Sequence, residues 1–182
     1  MKNMLRDALL QSFQGLLTDD GELFDCPIET HADYDARKLH EVCLNHRLAC
    51  HLEDNLTPLL ATMGERMFVD IEFNREGVDF KNLVVKGQKK RVRPDIIVHN
   101  RRSGEYKINL LVVECKRRDA SKDMIEEDRD KLRAFLEDEK YQYSFGLQVL
   151  YAKAQVCGTL FFIEDGTICS EEIEYSQQAV GP

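Results

Sequence analysis

A chain of 182 residues has room for one folded domain with a real hydrophobic core. With 43% hydrophobic and 32% charged residues it is neither a disordered segment nor a membrane-spanning one, and its longest apolar runs, near Leu110–Val113 and Leu160–Ile163, are far too short for a bilayer. The net charge of −8 speaks against a uniformly basic nucleic-acid binder, and six cysteines with no CxxC pair or disulfide-like spacing speak against a secreted disulfide scaffold.

Residues 3–17 carry Met4, Leu5, Ala8, Leu9, Phe13, Leu16 and Leu17 at helical spacing, so an amphipathic helix is predicted there, ended by Asp19-Asp20-Gly21. Polar Gln11, Ser12 and Gln14 interrupt this stretch, so no signal peptide is expected and a cytoplasmic protein with reduced thiols is. After a connection over 22–34, a second helix is predicted from about Asp35 to Asn55, with Pro58 marking its exit. Residues 67–74 alternate Met67, Val69, Ile71 and Phe73 with polar or outward neighbours, which predicts a strand. Leu83–Val85 reads as a short strand before a basic turn, Lys86 to Arg91.

Arg93 to Val98 and Leu110 to Lys116 then form two apolar strands around Ser103-Gly104, as in a hairpin. Alternate residues of a strand share a face, so Glu114 and Lys116 point one way and Cys115 the other. Folding back at Ser103-Gly104 brings Asp95 within a residue or two of them. A further helix is predicted over 123–139, with Ile125, Leu132, Phe135 and Leu136 inward and a solvated acidic outer face. Phe145–Ala152 and Val156–Ile163 are apolar throughout, as in strands covered on both sides, and Thr167–Ile173 adds an edge strand.

Pro94-Asp95, an interval of 18 residues, and Glu114-Cys115-Lys116 resemble the motif of the PD-(D/E)xK nuclease superfamily. The segments EVCLNHRLACHLE (Glu41 to Glu53), VDIEFNREG (Val69 to Gly77), RVRPDIIVH and LLVVECK are similar to those of a group of small prokaryotic nuclease-like proteins. The resemblance covers roughly residues 35–118. It implies an α/β fold with a restriction-endonuclease-like core, a central mixed sheet flanked by helices in the order α-β-β-β-α-β, here with an extra N-terminal helix. The expected organisation is one domain over 1–182, with an N-terminal helix and connection over 1–34, the core over 35–163, and a C-terminal strand and tail over 164–182.

The activity implied is Mg²⁺- or Mn²⁺-dependent hydrolysis of phosphodiesters in nucleic acid, with DNA the expected substrate. Hard cations prefer carboxylate and carbonyl oxygens, so Asp95 and Glu114 are the expected ligands. The backbone carbonyl of Cys115 joins them through the resemblance alone. Lys116 is expected to orient the attacking water and neutralise charge on the phosphate. Glu41 is the expected accessory acid, which the resemblance implies helps to complete the metal site. At ~100° per residue it lies within about 60° of Leu44, Leu48 and Leu52, a costly place for an unmet carboxylate. A helix-edge glutamate reaching solvent is the competing reading.

Residues 81–122 hold 13 of the 25 Lys and Arg but only four of the 33 Asp and Glu, a local charge of +9. Lys89, Lys90, Arg91 and Arg93 upstream of Asp95, and Arg117, Arg118 and Lys122 downstream of Lys116, are candidate phosphate contacts, with Arg75 from the earlier segment. Aromatics are sparse in this region and the chain has no tryptophan, so base stacking has little support.

Other readings stay open. Asp95, Glu114 and Lys116 could form a structural salt bridge on a strand pair. Asp70 and Glu72 share a strand face but suit its wet side better than a metal pair. His40, Cys43, His46 and Cys50 form a helical stripe, yet residues seven apart on a helix lie ~10 Å apart along the axis, too far to share one zinc. A catalytically silent nuclease-like module binding nucleic acid or a protein partner is the alternative function, and a homodimer is also left open. No membrane partner is expected.

Overall fold

The computed structural model describes residues 1–24, 41–76, 79–152 and 154–176. It is an α/β structure built on a mixed six-stranded sheet with helices on both faces. Among the described residues the first α-helices are α1 (Lys2–Asp19) and α2 (Glu41–Ala61). They are followed by β1 (Phe68–Ile71), the short hairpin of β2 (Arg75–Glu76) and β3 (Asp79–Phe80), and a second hairpin of β4 (Asn82–Val85) and β5 (Gln88–Arg91). Then come β6 (Ile96–His99), β7 (Asn109–Arg117), α3 (Lys122–Glu137), β8 (Phe145–Ala152), β9 (Gln155–Glu164) and β10 (Thr167–Ser176). The sheet runs β1-β6-β7-β8-β9-β10, and the β7–β8 pair is parallel because α3 carries the chain back across. The other neighbours in this sheet are antiparallel.

Alternation along β7 sorts the two layers. Leu111, Val113 and Cys115 belong to the cluster formed with α1 and α2, whereas Val112 belongs to the one formed with Leu132, Phe135 and Leu136 of α3. Leu5, Leu9, Phe13 and Leu16 give α1 its buried stripe, and each fully buried side chain of this kind contributes about 1.5–3 kcal/mol. The Phe13 ring reaches the sheet over Gly158, where an added Cβ would meet its Cζ at 3.0 Å. A polar seam joins α1 to α2: Asp20 pairs with Arg47 at 2.7 Å and with His51 at 2.8 Å, and the Ser12 hydroxyl donates to the His51 carbonyl.

Several expectations change in the folded chain. The predicted start of the second helix, from 35 to 40, lies outside the described residues. Its end is not at Pro58, because the helix runs through that proline to Ala61. The lost hydrogen bond to residue 54 is offset by burial of Leu56 and Leu59 on either side. The alternation predicted over 67–74 stops at Ile71, since Glu72 adopts φ 49°. That left-handed residue switches layers: Val69 packs against the α1–α2 cluster and Phe73 against the α3 cluster. The basic turn over 86–91 is instead the tip and returning strand of the β4–β5 hairpin, with Lys86 at φ 50° and Gly87 at φ 76°. The predicted edge strand extends beyond Ile173 to Ser176, pairing with β9 along its whole length.

Candidate active site at the C-terminal end of β7

β6 and β7 pair with Ile96 opposite Val113, so Asp95, one residue before β6, lies beside Glu114. The backbone fixes Asp95 further, as its carbonyl accepts from the Glu72 N–H at 2.9 Å. Its Oδ2 accepts from the Cys115 N–H at 2.7 Å. Glu114 and Lys116 share the face of β7 turned toward α3, as strand alternation requires. The Cys115 thiol points into the opposite layer, where the Tyr151 hydroxyl reaches it at 3.3 Å and also donates to Asn45 Oδ1 at 3.0 Å. Burial holds both Cys115 and Tyr151 well above their ordinary pKa values, so both stay neutral.

α3 follows β7 after a tight turn, and its second turn overhangs Glu114 and Lys116. Ser121 caps it, accepting from the Met124 N–H. This brings in two side chains that sequence reasoning missed, Asp128 and Lys131. Lys131 Nζ donates to Asp128 Oδ1 at 2.7 Å and lies 3.9 Å from Glu114 Oε2. Lys116 Nζ donates to its own Cys115 carbonyl at 3.1 Å and lies 3.3 Å from Asp128 Oδ2 and 3.9 Å from Glu41 Oε2. A signal for Asp128 did exist: it stands at helical spacing with Ile125, Leu132 and Phe135, an acid on an apolar stripe.

Glu41, the first residue of α2, comes to the same end of β7 from the other layer. Its Oε1 accepts from the Arg117 N–H at 3.3 Å. Its described neighbours are thus a backbone amide and Lys116.

The electrostatics are those of a site with too few cations. Four carboxyl groups (Glu41, Asp95, Glu114 and Asp128) meet two ammoniums (Lys116 and Lys131). Burial pushes the Glu114 carboxyl up to about 8; Lys131 opposes this and the nearby Asp95 and Asp128 add to it. Burial also raises Asp95, against the Cys115 N–H and Lys116. Burial pulls Lys116 down, but Asp128, Asp95 and Glu41 outweigh it and raise it overall. For Lys131 the same opposition, with Glu114 and Asp128 prevailing over burial, also ends in a raised value.

This donor set fits a hard divalent cation. It offers carboxyl and carbonyl oxygens, the donors such an ion prefers, and no imidazole. Asp128 Oδ2 is buried and has no hydrogen-bond donor among the described residues, with Lys116 Nζ 3.3 Å away as an ion-pair contact. Among the described residues no three His, Cys, Asp or Glu side chains are close enough to hold an ion together.

The basic candidates are dispersed, and most already have partners. Lys90 pairs with Glu127 of α3 at 2.8 Å, and Lys86 at the same hairpin's tip pairs with Asp130 at 2.5 Å, so the outer face of α3 is partly covered rather than wholly solvated. Arg91 stacks over Phe80, with 3.2 Å from its Cζ to the ring centre. Arg93 pairs with Glu72 at 3.2 Å, and Arg118 donates to Gln155. Arg117 follows Lys116 on β7, half-buried. Lys89 and Lys122 are exposed and make no ion pair with a described residue. The Arg75 side chain lies outside the described residues.

Asp70 binds Arg101 and, at 2.8 Å, His99, which accounts for it without a metal. Of the helical stripe, His40 lies outside the described residues, as does Cys26 elsewhere in the chain. Cys43 and His46 are exposed, and Cys50 Sγ is 4.0 Å from His46 Nε2. The five described cysteines are free thiols. No helix among the described residues is long and apolar enough to cross a membrane. No protein-family model, curated protein or solved structure matches the chain.

Proposed function

We propose that the protein is a divalent-cation-dependent nuclease of the PD-(D/E)xK, restriction-endonuclease-like kind, hydrolysing phosphodiesters of nucleic acid, in the first instance DNA. The observation that carries the reading is the gathering of Asp95, Glu114 and Lys116 at one end of β7, with two more carboxyl groups there than ammoniums. The run α2-β1-β6-β7-α3-β8 supports it, because the motif strands β6 and β7 are adjacent interior strands and α3 crosses from β7 to its parallel neighbour β8.

Asp95, Glu114 and the Cys115 carbonyl are the groups that would hold Mg²⁺ or Mn²⁺. Such an ion supplies an activated water and charge neutralisation at phosphorus. Asp95 is oriented by the Cys115 N–H, and Glu114 by its place on the buried strand. Lys116, protonated and partly exposed, offers ammonium protons to a phosphate oxygen or to the attacking water. Glu41 holds the backbone just beyond Lys116. Lys89 and Lys122, the exposed candidates without an ion pair, are the cations best able to meet a phosphate backbone.

A second reading, a nuclease-like module without catalysis, draws on the two lysines that already meet these carboxylates. Plasmid nicking in Mg²⁺ and in Mn²⁺ separates the two. The nuclease reading requires cleavage by the wild type and its loss in both Asp95→Ala and Lys116→Ala with the fold intact. Equal nicking by all three proteins would remove it, and a wild type that neither cuts nor binds a cation would leave the silent module.

A further inference from the structure

Asp128 is 2% exposed in the second turn of α3, in register with the buried Leu132 and Phe135. A carboxylate in such a place is costly unless cations meet it, whereas leucine or alanine would sit there freely. Its two oxygens are used unequally. Oδ1 accepts from Lys131, while Oδ2 faces Lys116 at 3.3 Å and has no hydrogen-bond donor among the described residues.

Lys116 needs such an anchor. Its long stem has many rotamers, and among the described residues three oxygens meet its ammonium: the Cys115 carbonyl, Asp128 Oδ2 and Glu41 Oε2. Glu41 is the most distant of these and about a third exposed at the start of a helix, whereas Asp128 is locked in the core beside Leu132. Resting on the nuclease reading above, the geometry points to Asp128 as a positioning residue for Lys116. It holds the ammonium over the Cys115 carbonyl, beside Asp95 and Glu114, before any substrate arrives. α3 is then part of the active centre, and the single carboxylate of Asp128 spaces the two lysines.

The test reads Lys116 directly as well as through catalysis. In protein labelled at lysine nitrogen and side-chain carbon, the Lys116 ammonium protons, assigned by Lys116→Arg, should be visible at neutral pH while solvent lysines exchange away. A wild type without that signal overturns the anchoring, so the test survives even if a variant fails to fold. In Asp128→Asn the signal should vanish, and Mg²⁺-dependent cleavage should lose about 100-fold in kcat with KM unchanged, the scale of a misplaced catalytic group.

In a Lys116→Ala background Asp128→Asn should cost nothing more, because Asp128 acts through Lys116. A persisting Lys116 signal in Asp128→Asn, or losses that multiply in the double variant, would overturn the assignment. A wild type that cuts nothing while the signal behaves as expected would overturn the nuclease reading and leave the anchoring supported.

Discussion

Replacing Glu114 by glutamine keeps the side chain's shape and removes its titration. An ordinary glutamate ionises near 4.5, whereas Glu114 is pushed up to about 8 by burial on β7. At about 1.4 kcal/mol per pH unit, ionising the buried carboxyl costs the fold roughly 4–5 kcal/mol. A folded-state value above the unfolded one means that the contribution is fully present below pH 4.5 and lost as pH rises through about 8. Urea unfolding of wild type and Glu114→Gln at pH 5 and pH 9 isolates this effect, since the other titrating groups are shared. The two proteins should agree within about 1 kcal/mol at pH 5, and the variant should be more stable by roughly 4 kcal/mol at pH 9. Saturating Mg²⁺ should narrow the gap at pH 9 by stabilising the wild type. A gap of the same size at both pH values would refute the argument that burial raises the Glu114 carboxyl.

Other substitutions probe the frame around the site. Phe135→Ala should cost about 3–5 kcal/mol by calorimetry, because the ring is fully buried between α3 and the sheet beside Tyr141 and Tyr143. Tyr151→Phe should cost about 1–3 kcal/mol, as it leaves the buried Asn45 amide without its hydroxyl partner; a neutral result would show that Asn45 finds another donor. Burial alone would raise the Asp70 carboxyl, but Arg101 and His99 prevail and lower it, so its contribution is present above the ordinary carboxylate range and lost on acidification. Asp70→Asn should therefore flatten the acid limb of the unfolding curve below about pH 4; an unchanged limb would contradict the pairing.

Most of the sheet was legible because its signals are local. The apolar strands Ile96–His99, Asn109–Arg117, Phe145–Ala152 and Gln155–Glu164 declare themselves by composition, and α1 by its stripe. Two-residue alternation together with a turn at Ser103-Gly104 was enough to bring Asp95 and Glu114 side by side. The misses are tertiary or conformational. The left-handed backbone at Glu72 leaves no compositional trace, so the strand over 67–74 seemed longer than it is. Pro58 counts as a helix stop only when burial does not carry the helix past it. Asp128 and Lys131 reach the site through the crossover of α3, a long-range contact that no spacing within one element discloses. The basic stretch read as one cationic surface, because the acids that neutralise Lys86 and Lys90 lie some forty residues later in the chain, on α3.

Anomalous diffraction from crystals soaked in Mn²⁺ addresses the account most directly, since it locates the ion without relying on turnover. The arrangement of Asp95, Glu114 and the Cys115 carbonyl predicts a strong peak in contact with both carboxylates, absent from crystals of Asp95→Asn. No peak there in the wild type, or a peak elsewhere that survives Asp95→Asn, would contradict it.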